Sequence, residues 1–149
     1  METHSLAMLI ELATTSHDAA AARRAELQQR VQDAQAQLEV LRNYAHDYVQ
    51  RAQVQMAAGC DPAAQLNWRA FALKLDQAID AQQIEVRTRE EHLVAGETEL
   101  RQAMRKLKSL QALAERRLAQ AQQLAQRIDQ KQTDEIARTM RDPSSTTEW

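Results

Sequence analysis

The sequence predicts an all-α protein, a long two-helix antiparallel coiled-coil hairpin in which the second helix is longer than the first. Of 149 residues only two are Gly, two Pro and five aromatic. This composition favours helix and supplies few bulky side chains for a globular core. A single turn signal interrupts the chain before its last residues, and on both sides of it apolar residues recur at the heptad spacing of a coiled coil.

The turn signal consists of Gly59, Asp61 and Pro62. Gly59 suits the left-handed position just past a helix end, and Asp61 suits an N-cap. Pro62 suits the first helical position because it has no N–H to leave unpaired. A connection this short places consecutive helices antiparallel and adjacent. The predicted elements are a helix over residues 3–58, a turn over residues 59–61 and a helix over residues 62–141.

Residues 1–141 are therefore expected to form one coiled-coil hairpin domain. Asp142-Pro143-Ser144-Ser145 ends the second helix, and residues 142–149 are predicted to be a disordered tail. Cys60, the single cysteine, cannot form an internal disulfide and is interpreted as an inert loop residue. No segment approaches the 18 or so consecutive apolar residues that a membrane span needs, so we expect a cytosolic protein.

The heptad pattern defines the seam between the helices, formed by positions a and d and flanked by positions e and g. In the first helix the seam positions are Leu6, Ile10, Ala13, His17, Ala20, Arg24, Leu27, Val31, Ala34, Leu38, Leu41, Ala45, Tyr48 and Ala52. In the second they are Trp68, Ala72, Leu75, Ile79, Gln82, Val86, Arg89, Leu93, Gly96, Leu100, Ala103, Leu107, Leu110 and Ala114. Most are apolar, as a buried seam requires.

If the chain folds back near residue 60, partners across the seam have residue numbers that sum to about 120. This register brings small residues against large ones, as interdigitating side chains require. The expected pairs are Ile10 with Leu110, Ala13 with Leu107, Ala20 with Leu100, Leu27 with Leu93, Leu41 with Ile79, Ala45 with Leu75, and Tyr48 with Ala72. Arg24 is expected opposite Gly96, where the missing side chain leaves room for the arginine stem.

The second helix is expected to extend about twenty residues beyond position 119 without a partner in the chain. We call this segment the overhang. Although the net charge of the chain is −2, residues 101–141 carry ten bases against four acids. Interleaved acids and the lack of aromatics there disfavour nucleic acid. The apolar residues of the overhang predict either fraying or a site for another protein. They are Ala121, Leu124, Ile128 and Ile136.

No catalytic constellation is recognisable in the sequence. Gly59 and Gly96 stand alone, so there is no glycine-rich phosphate loop. The histidines lack the spacing of a helical metal site, and paired acids on exposed helices are normally solvated. The histidines are His4, His17, His46 and His92. The paired acids are Glu90 with Glu91 and Asp134 with Glu135. We therefore expect no enzymatic activity, no cofactor and no metal.

Aromatic residues gather near the turn, where Tyr48 and Trp68 occupy seam positions and Tyr44 and Phe71 occupy g positions. Helices that run antiparallel bring their g flanks together, so Tyr44 and Phe71 are expected to form one apolar strip. Gln37 and Ala78 share this g flank, whereas the e flank carries Gln35, Arg42, Asp76 and Gln83. The strip either covers the edge of the seam or binds a partner, and its one-sidedness favours a partner.

The sequence resembles the FliJ family of flagellar proteins along nearly its whole length. The similar segments are Leu38-x-x-Leu41-x-x-Tyr44-x-x-x-Tyr48, the Gly59 turn, Asn67-Trp68-Arg69-Ala70-Phe71-x-x-x-Leu75-x-x-Ala78-Ile79, Lys106-Leu107-x-x-Leu110-x-x-Leu113-x-x-Arg116, and Asp129-Gln130-Lys131-x-x-Asp134-Glu135. The aromatics beside the turn and the late Gln-Lys-x-x-Asp-Glu stretch are not general features of heptad sequences, which makes the match specific.

The resemblance implies a non-enzymatic stalk protein of the flagellar type III export apparatus, similar to the two-helix coiled coil at the centre of rotary ATP synthases. Such proteins insert into the ring of the export ATPase FliI, contact the export gate protein FlhA, and are linked to the recycling of export chaperones. The implied location is cytoplasmic, peripherally associated with the inner face of the cell membrane.

The resemblance implies that the residues facing the export gate are Gln37, Leu41, Tyr44, Tyr48, Phe71, Leu75, Ala78 and Gln82. Gln82 stands where some members have His, and Leu41, Tyr48 and Leu75 are also seam positions. Those expected to face the ATPase ring lie on the overhang and are Leu124, Arg127, Ile128 and Lys131. Two alternatives remain, a stalk of a virulence-type secretion system and a self-associating coiled-coil scaffold.

Overall fold

The computed structural model describes residues 2–59 and 61–142. Two α-helices, α1 over Glu2–Ala57 and α2 over Pro62–Arg141, make up this part of the chain, and none of it is strand. With 80 residues against 56, α2 is the longer helix. The prediction of an all-α hairpin with a longer second helix is confirmed. Cys60 and residues 143–149, on which the inert-loop and disordered-tail predictions fall, lie outside the described residues.

The turn between the helices has the backbone conformation that its sequence predicts. Gly59 has a φ of +92°, in the left-handed region that glycine tolerates best, and its N–H donates to the Met56 carbonyl at 3.3 Å. The second helix begins at Pro62, and the Gln65 N–H donates to the Asp61 carbonyl at 3.2 Å. The chain therefore leaves α1 and enters α2 within four residues.

Contacts divide the chain into two compact units, each containing a segment of both helices. Of the described residues, the turn unit comprises 15–59 and 61–104, and the terminal unit comprises 2–14 with 105–142. That residues 1–141 form one domain stays a prediction.

In the turn unit the helices pack along the predicted seam. Ala34, Leu38 and Val86 are buried together, and Ile79 packs against them. Every predicted seam position of this unit is buried or half-buried, including the polar Gln82 and Arg89. Burial of this stripe supplies the main free energy that holds two otherwise solvated helices together.

Gly96 shows that the predicted register is correct. A Cβ atom built on Gly96 would lie 2.6 Å from Cδ1 of Leu27 and 4.0 Å from the Cα atom of Arg24. The helices approach closely here because Gly96 has no side chain. The guanidinium of Arg24 turns outward and lies 3.9 Å from a carboxylate oxygen of Glu97. Arg24 thus lies opposite Gly96, as predicted.

In the terminal unit the first turns of α1 pack against α2, with Leu6 and Ala13 buried. Beside this seam an apolar hollow opens between the helices, lined by Thr3, Leu6, Ala7, Ile10, Ala114, Arg117, Leu118 and Ala121. From residue 115 to residue 142 every residue of the chain is exposed. The overhang therefore begins close to the predicted position.

Neither helix, over the residues described, contains a stretch long and apolar enough to cross a membrane.

Candidate partner-binding surfaces

Four aromatic side chains in the turn unit form a chain of ring contacts across the seam. The ring centroids of Tyr48 and Trp68 are 4.5 Å apart, and those of Tyr48 and Phe71 are 4.7 Å apart. Phe71 also meets Tyr44 edge to face, with centroids 6.5 Å apart and ring planes at 72°. Such tilted and edge-to-face pairs are favoured by the charge distribution of aromatic rings. We call the outer two residues, Tyr44 and Phe71, the aromatic strip.

The two inner aromatic residues are half-buried, whereas the aromatic strip faces solvent. Tyr44 is 52% exposed and Phe71 is 39% exposed. Tyr48 and Trp68 lie in the seam, as their heptad positions predict. Phe71 therefore packs on the half-buried ring of Tyr48, and Tyr44 packs on Phe71.

Burial raises the pKa of the Tyr48 phenol above its ordinary value, and the neighbouring Tyr44 adds to the effect. Desolvation disfavours the phenolate, so Tyr48 stays neutral at physiological pH. A neutral hydroxyl suits a residue that packs between the helices.

Contacts between the helices show how the two flanks are paired. On the g flank, Tyr44 meets Phe71 and the Arg23 guanidinium pairs with the Glu99 carboxylate. On the e flank, the Gln35 amide donates to the Glu90 carboxylate at 3.5 Å. The antiparallel pairing of g with g and e with e follows the prediction. The e flank also carries Val49, an apolar residue that is 45% exposed.

The other residues expected to face the gate lie in the same unit. Gln37 is exposed, whereas Leu41, Leu75, Ala78 and Gln82 are half-buried. The Gln82 amide donates to the Ala34 carbonyl at 3.0 Å and to the Gln37 side-chain oxygen at 3.3 Å. The structure thus joins Gln37 to Gln82, while Leu41 and Leu75 keep their seam positions.

Sequence reasoning missed Val40, which is 67% exposed. Together with Ala36, Gln37, Leu41 and Gln82 it lines a hollow on the g flank, which we call the Val40 hollow. Val40 lies one helical turn before Tyr44, so a search for exposed apolar residues three or four positions from Tyr44 could have found it.

The residues expected to face the ATPase ring are all exposed on the overhang. Leu124 is 59% exposed and Ile128 is 49% exposed. With Arg127 and Lys131 they follow a spacing of three, four and seven residues, which places them on one face of a helix. This face combines apolar and basic side chains, and α1 does not cover it.

A second apolar group in the terminal unit was also missed. Met8, Leu9 and Leu12 are between 50% and 65% exposed near the start of α1. The neighbouring apolar residues Leu6 and Ile10 are seam positions. The three additional apolar side chains follow no heptad spacing of their own, so the sequence pattern did not indicate them.

The described part of the chain contains no group of three or more His, Cys, Asp or Glu side chains arranged to hold a metal ion. His17 lies instead beside Asp18, with 3.2 Å between its Nδ1 and a carboxylate oxygen.

These surfaces define a class of protein, a helical hairpin with exposed apolar and aromatic side chains. A family model described as "Flagellar FliJ protein" matches residues 1–141, and the chain therefore belongs to the FliJ family. The Flagellar FliJ protein of Escherichia coli (strain K12) is 28% identical over 144 residues, which cover 95% of this chain and 98% of that protein. That of Salmonella typhi is 28% identical over 141 residues, which cover 93% and 96%. The predicted family is confirmed.

Proposed function

We propose that this protein is a non-enzymatic stalk of the flagellar type III export apparatus, which binds the export gate protein FlhA and the ring of the export ATPase FliI. Membership of the FliJ family supports the flagellar assignment. The main observation behind the proposal is the exposed aromatic strip. Its Phe71 ring packs on Tyr48, and both of its residues lie on the g flank. Rigid, exposed aromatic residues are typical anchors of protein interfaces.

We assign the binding surface for the gate protein to the turn unit. This surface comprises Gln37, Leu41, Tyr44, Tyr48, Phe71, Leu75, Ala78 and Gln82. Exposed Tyr44, Phe71 and Gln37 make direct contact. The half-buried members support them from the seam and, in the case of Ala78, from the g flank. Binding at the gate accounts for a cytoplasmic protein held peripherally at the inner face of the membrane. Export chaperones are further partners of the same apparatus.

Binding to the purified cytoplasmic part of FlhA tests the gate assignment. Replacing Tyr44→Ala and Phe71→Ala together is expected to weaken binding by about tenfold or more, since truncating one anchor commonly costs over 1 kcal/mol. The matched control replaces Leu66→Ala and Leu73→Ala, which are 67% and 59% exposed in the same unit but away from the strip. Equal affinities of the two double variants would reject the assignment, provided that circular dichroism shows both folded.

The ATPase ring is assigned to the overhang, at Leu124, Arg127, Ile128 and Lys131. An exposed apolar face bordered by cations fits a partner surface with an apolar groove and acidic edges. No part of α1 covers this face, and every described residue from 115 to 142 is exposed, which supports its use by another protein.

Stimulation of the FliI ATPase tests the ring assignment. A chain ending at Ala119 is expected to stay folded and to lose stimulation. A finer variant carries Leu124→Ala and Ile128→Ala, and its control carries Met140→Ala, which is also exposed on α2. Loss of stimulation in the double variant alone supports the assignment. Full stimulation by the chain ending at Ala119 would show that the overhang does not bind the ATPase ring.

A further inference from the structure

Three of the polar seam residues in the turn unit interrupt its apolar stripe. They are Arg24, Gln82 and Arg89, and all three are half-buried. Replacing buried polar or charged groups with apolar residues of similar volume is often neutral or stabilising, so these residues are not needed for stability alone. A polar residue at a seam position instead commonly fixes the number of helices in a coiled coil, at a cost in stability.

Arg24 directs its charged end out of the seam on the e flank. Its guanidinium lies 3.9 Å from a carboxylate oxygen of Glu97, the residue that follows Gly96, and 41% of the Arg24 side chain is exposed. The aliphatic stem lies in the seam while the charged end stays hydrated. A second hairpin packed on the e flank would cover this charged end and remove its water, which is unfavourable.

Gln82 and Arg89 direct their polar ends out of the seam on the opposite, g flank. The Gln82 amide donates to the Gln37 side-chain oxygen at 3.3 Å and to the Ala34 carbonyl at 3.0 Å. The Arg89 guanidinium donates to the Glu85 carboxylate at 2.7 Å, and 34% of its side chain is exposed. A second hairpin packed on the g flank would therefore remove water from an amide and from an ion pair.

The g flank also carries a charged depression beside these residues. It is lined by Arg30, Asp33, Ala34, Gln37, Glu85 and Arg89. Gln37 lines the Val40 hollow as well, so the apolar surface of that hollow borders directly on charged groups. An apolar side chain from a second hairpin has no favourable contact in the charged depression.

We propose that Arg24, Gln82 and Arg89 limit this coiled coil to two helices by excluding a second copy of the chain from both flanks of the turn unit. Two hairpins that pack side by side as a four-helix bundle share one enlarged apolar core. Polar ends that leave the seam on the e flank and on the g flank oppose such packing on either side. The inference does not depend on the partners named under the proposed function.

Light scattering after size-exclusion chromatography counts the chains in solution. The unsubstituted chain is expected to show its own mass of 16.9 kDa over a series of protein concentrations. A leucine variant carries Arg24→Leu, Gln82→Leu and Arg89→Leu, and it is expected to show twice that mass because an apolar seam can add further helices. Association stabilises the folded state by mass action, so its urea midpoint is expected to rise with protein concentration.

A matched control carries the same three changes at exposed positions of the same helices, Arg23→Leu, Gln77→Leu and Arg87→Leu. It is expected to stay a single chain, because these side chains lie outside the seam. A lysine variant carries Arg24→Lys and Arg89→Lys. It retains both charges and is also expected to stay a single chain.

Circular dichroism shows whether each variant remains helical. If the leucine variant is not helical, Arg89→Leu alone replaces it, and its mass is expected to rise with concentration. A folded leucine variant with the mass of one chain overturns the proposal, and so does a two-chain mass for the unsubstituted protein or the lysine variant. Equal association of the leucine variant and the matched control also overturns it, since added surface hydrophobicity then accounts for the effect.

Discussion

Tyr48 links the seam to the exposed strip, because its ring touches both Trp68 and Phe71. Burial raises the pKa of its phenol, with a smaller effect of Tyr44. A group whose pKa is higher in the folded than in the unfolded chain favours folding at low pH. Its contribution is complete below the unfolded pKa and is lost as pH rises through the folded pKa.

Alkaline titration of the Tyr44→Phe variant isolates this effect, since Tyr48 is then the sole tyrosine. The phenolate absorbance is expected to rise at higher pH in the folded protein than in concentrated urea, because burial is removed on unfolding. Coincident titration curves would show that the Tyr48 ring is not desolvated in the seam.

A glycine at position 96 lowers helix propensity but allows the two helices to pack closely. Alanine is about 1 kcal/mol more favourable than glycine inside a helix. Its Cβ atom, however, would lie 2.6 Å from Cδ1 of Leu27, so that side chain must move. Gly96→Ala is therefore expected to increase the free energy of unfolding by clearly less than this amount.

Truncating the Leu27 side chain should allow Gly96→Ala its full stabilising effect. In a Leu27→Ala background, Gly96→Ala is expected to stabilise the protein by about 1 kcal/mol, because the clashing atoms are gone. Urea unfolding of the four chains measures both steps. The same gain in both backgrounds would contradict the close contact between these residues.

At the scale of the helices, the two ends of the terminal unit contribute differently. The start of α1 supplies buried Leu6 and Ala13 and covers part of α2, whereas residues 115–142 of α2 are exposed throughout. Stability should therefore depend on the first segment much more than on the overhang.

Two truncations measure this difference by thermal and urea unfolding. Deleting residues 1–13 is expected to lower the free energy of unfolding by about 3 kcal/mol or more, since the apolar burial that Leu6 and Ile10 contribute is lost. Ending the chain at Ala119 should change it by less than about 1 kcal/mol. Comparable losses in both chains would mean that the overhang packs on the rest of the protein.

At the scale of the whole molecule, the sequence predicted the features that depend on backbone periodicity. Apolar side chains at heptad spacing can be buried only along one seam, so the seam positions and the opposition of Arg24 and Gly96 followed from residue spacing alone. The turn was predictable because Gly59 and Pro62 have restricted uses at helix ends.

Features that depend on individual rotamers were not predictable in this way. The Val40 hollow is lined in part by Gln82, whose side chain reaches Ala34 and Gln37, and no spacing rule specifies that rotamer. Exposed apolar residues outside the seam, such as Leu9 and Val49, also follow no period. The eight gate-facing residues came from family resemblance and the four ring-facing residues from the unpaired basic overhang, and the roles of both groups stay predictions.

One-sided binding is the central claim, and alkylation of single cysteines tests it most directly. In a Cys60→Ser chain, Gln37→Cys and Gln35→Cys place matched thiols at exposed positions on the g and e flanks. Bound FlhA should slow alkylation at residue 37 and leave the rate at residue 35 unchanged. Equal protection at both positions, or protection at residue 35 alone, would contradict the proposed surface.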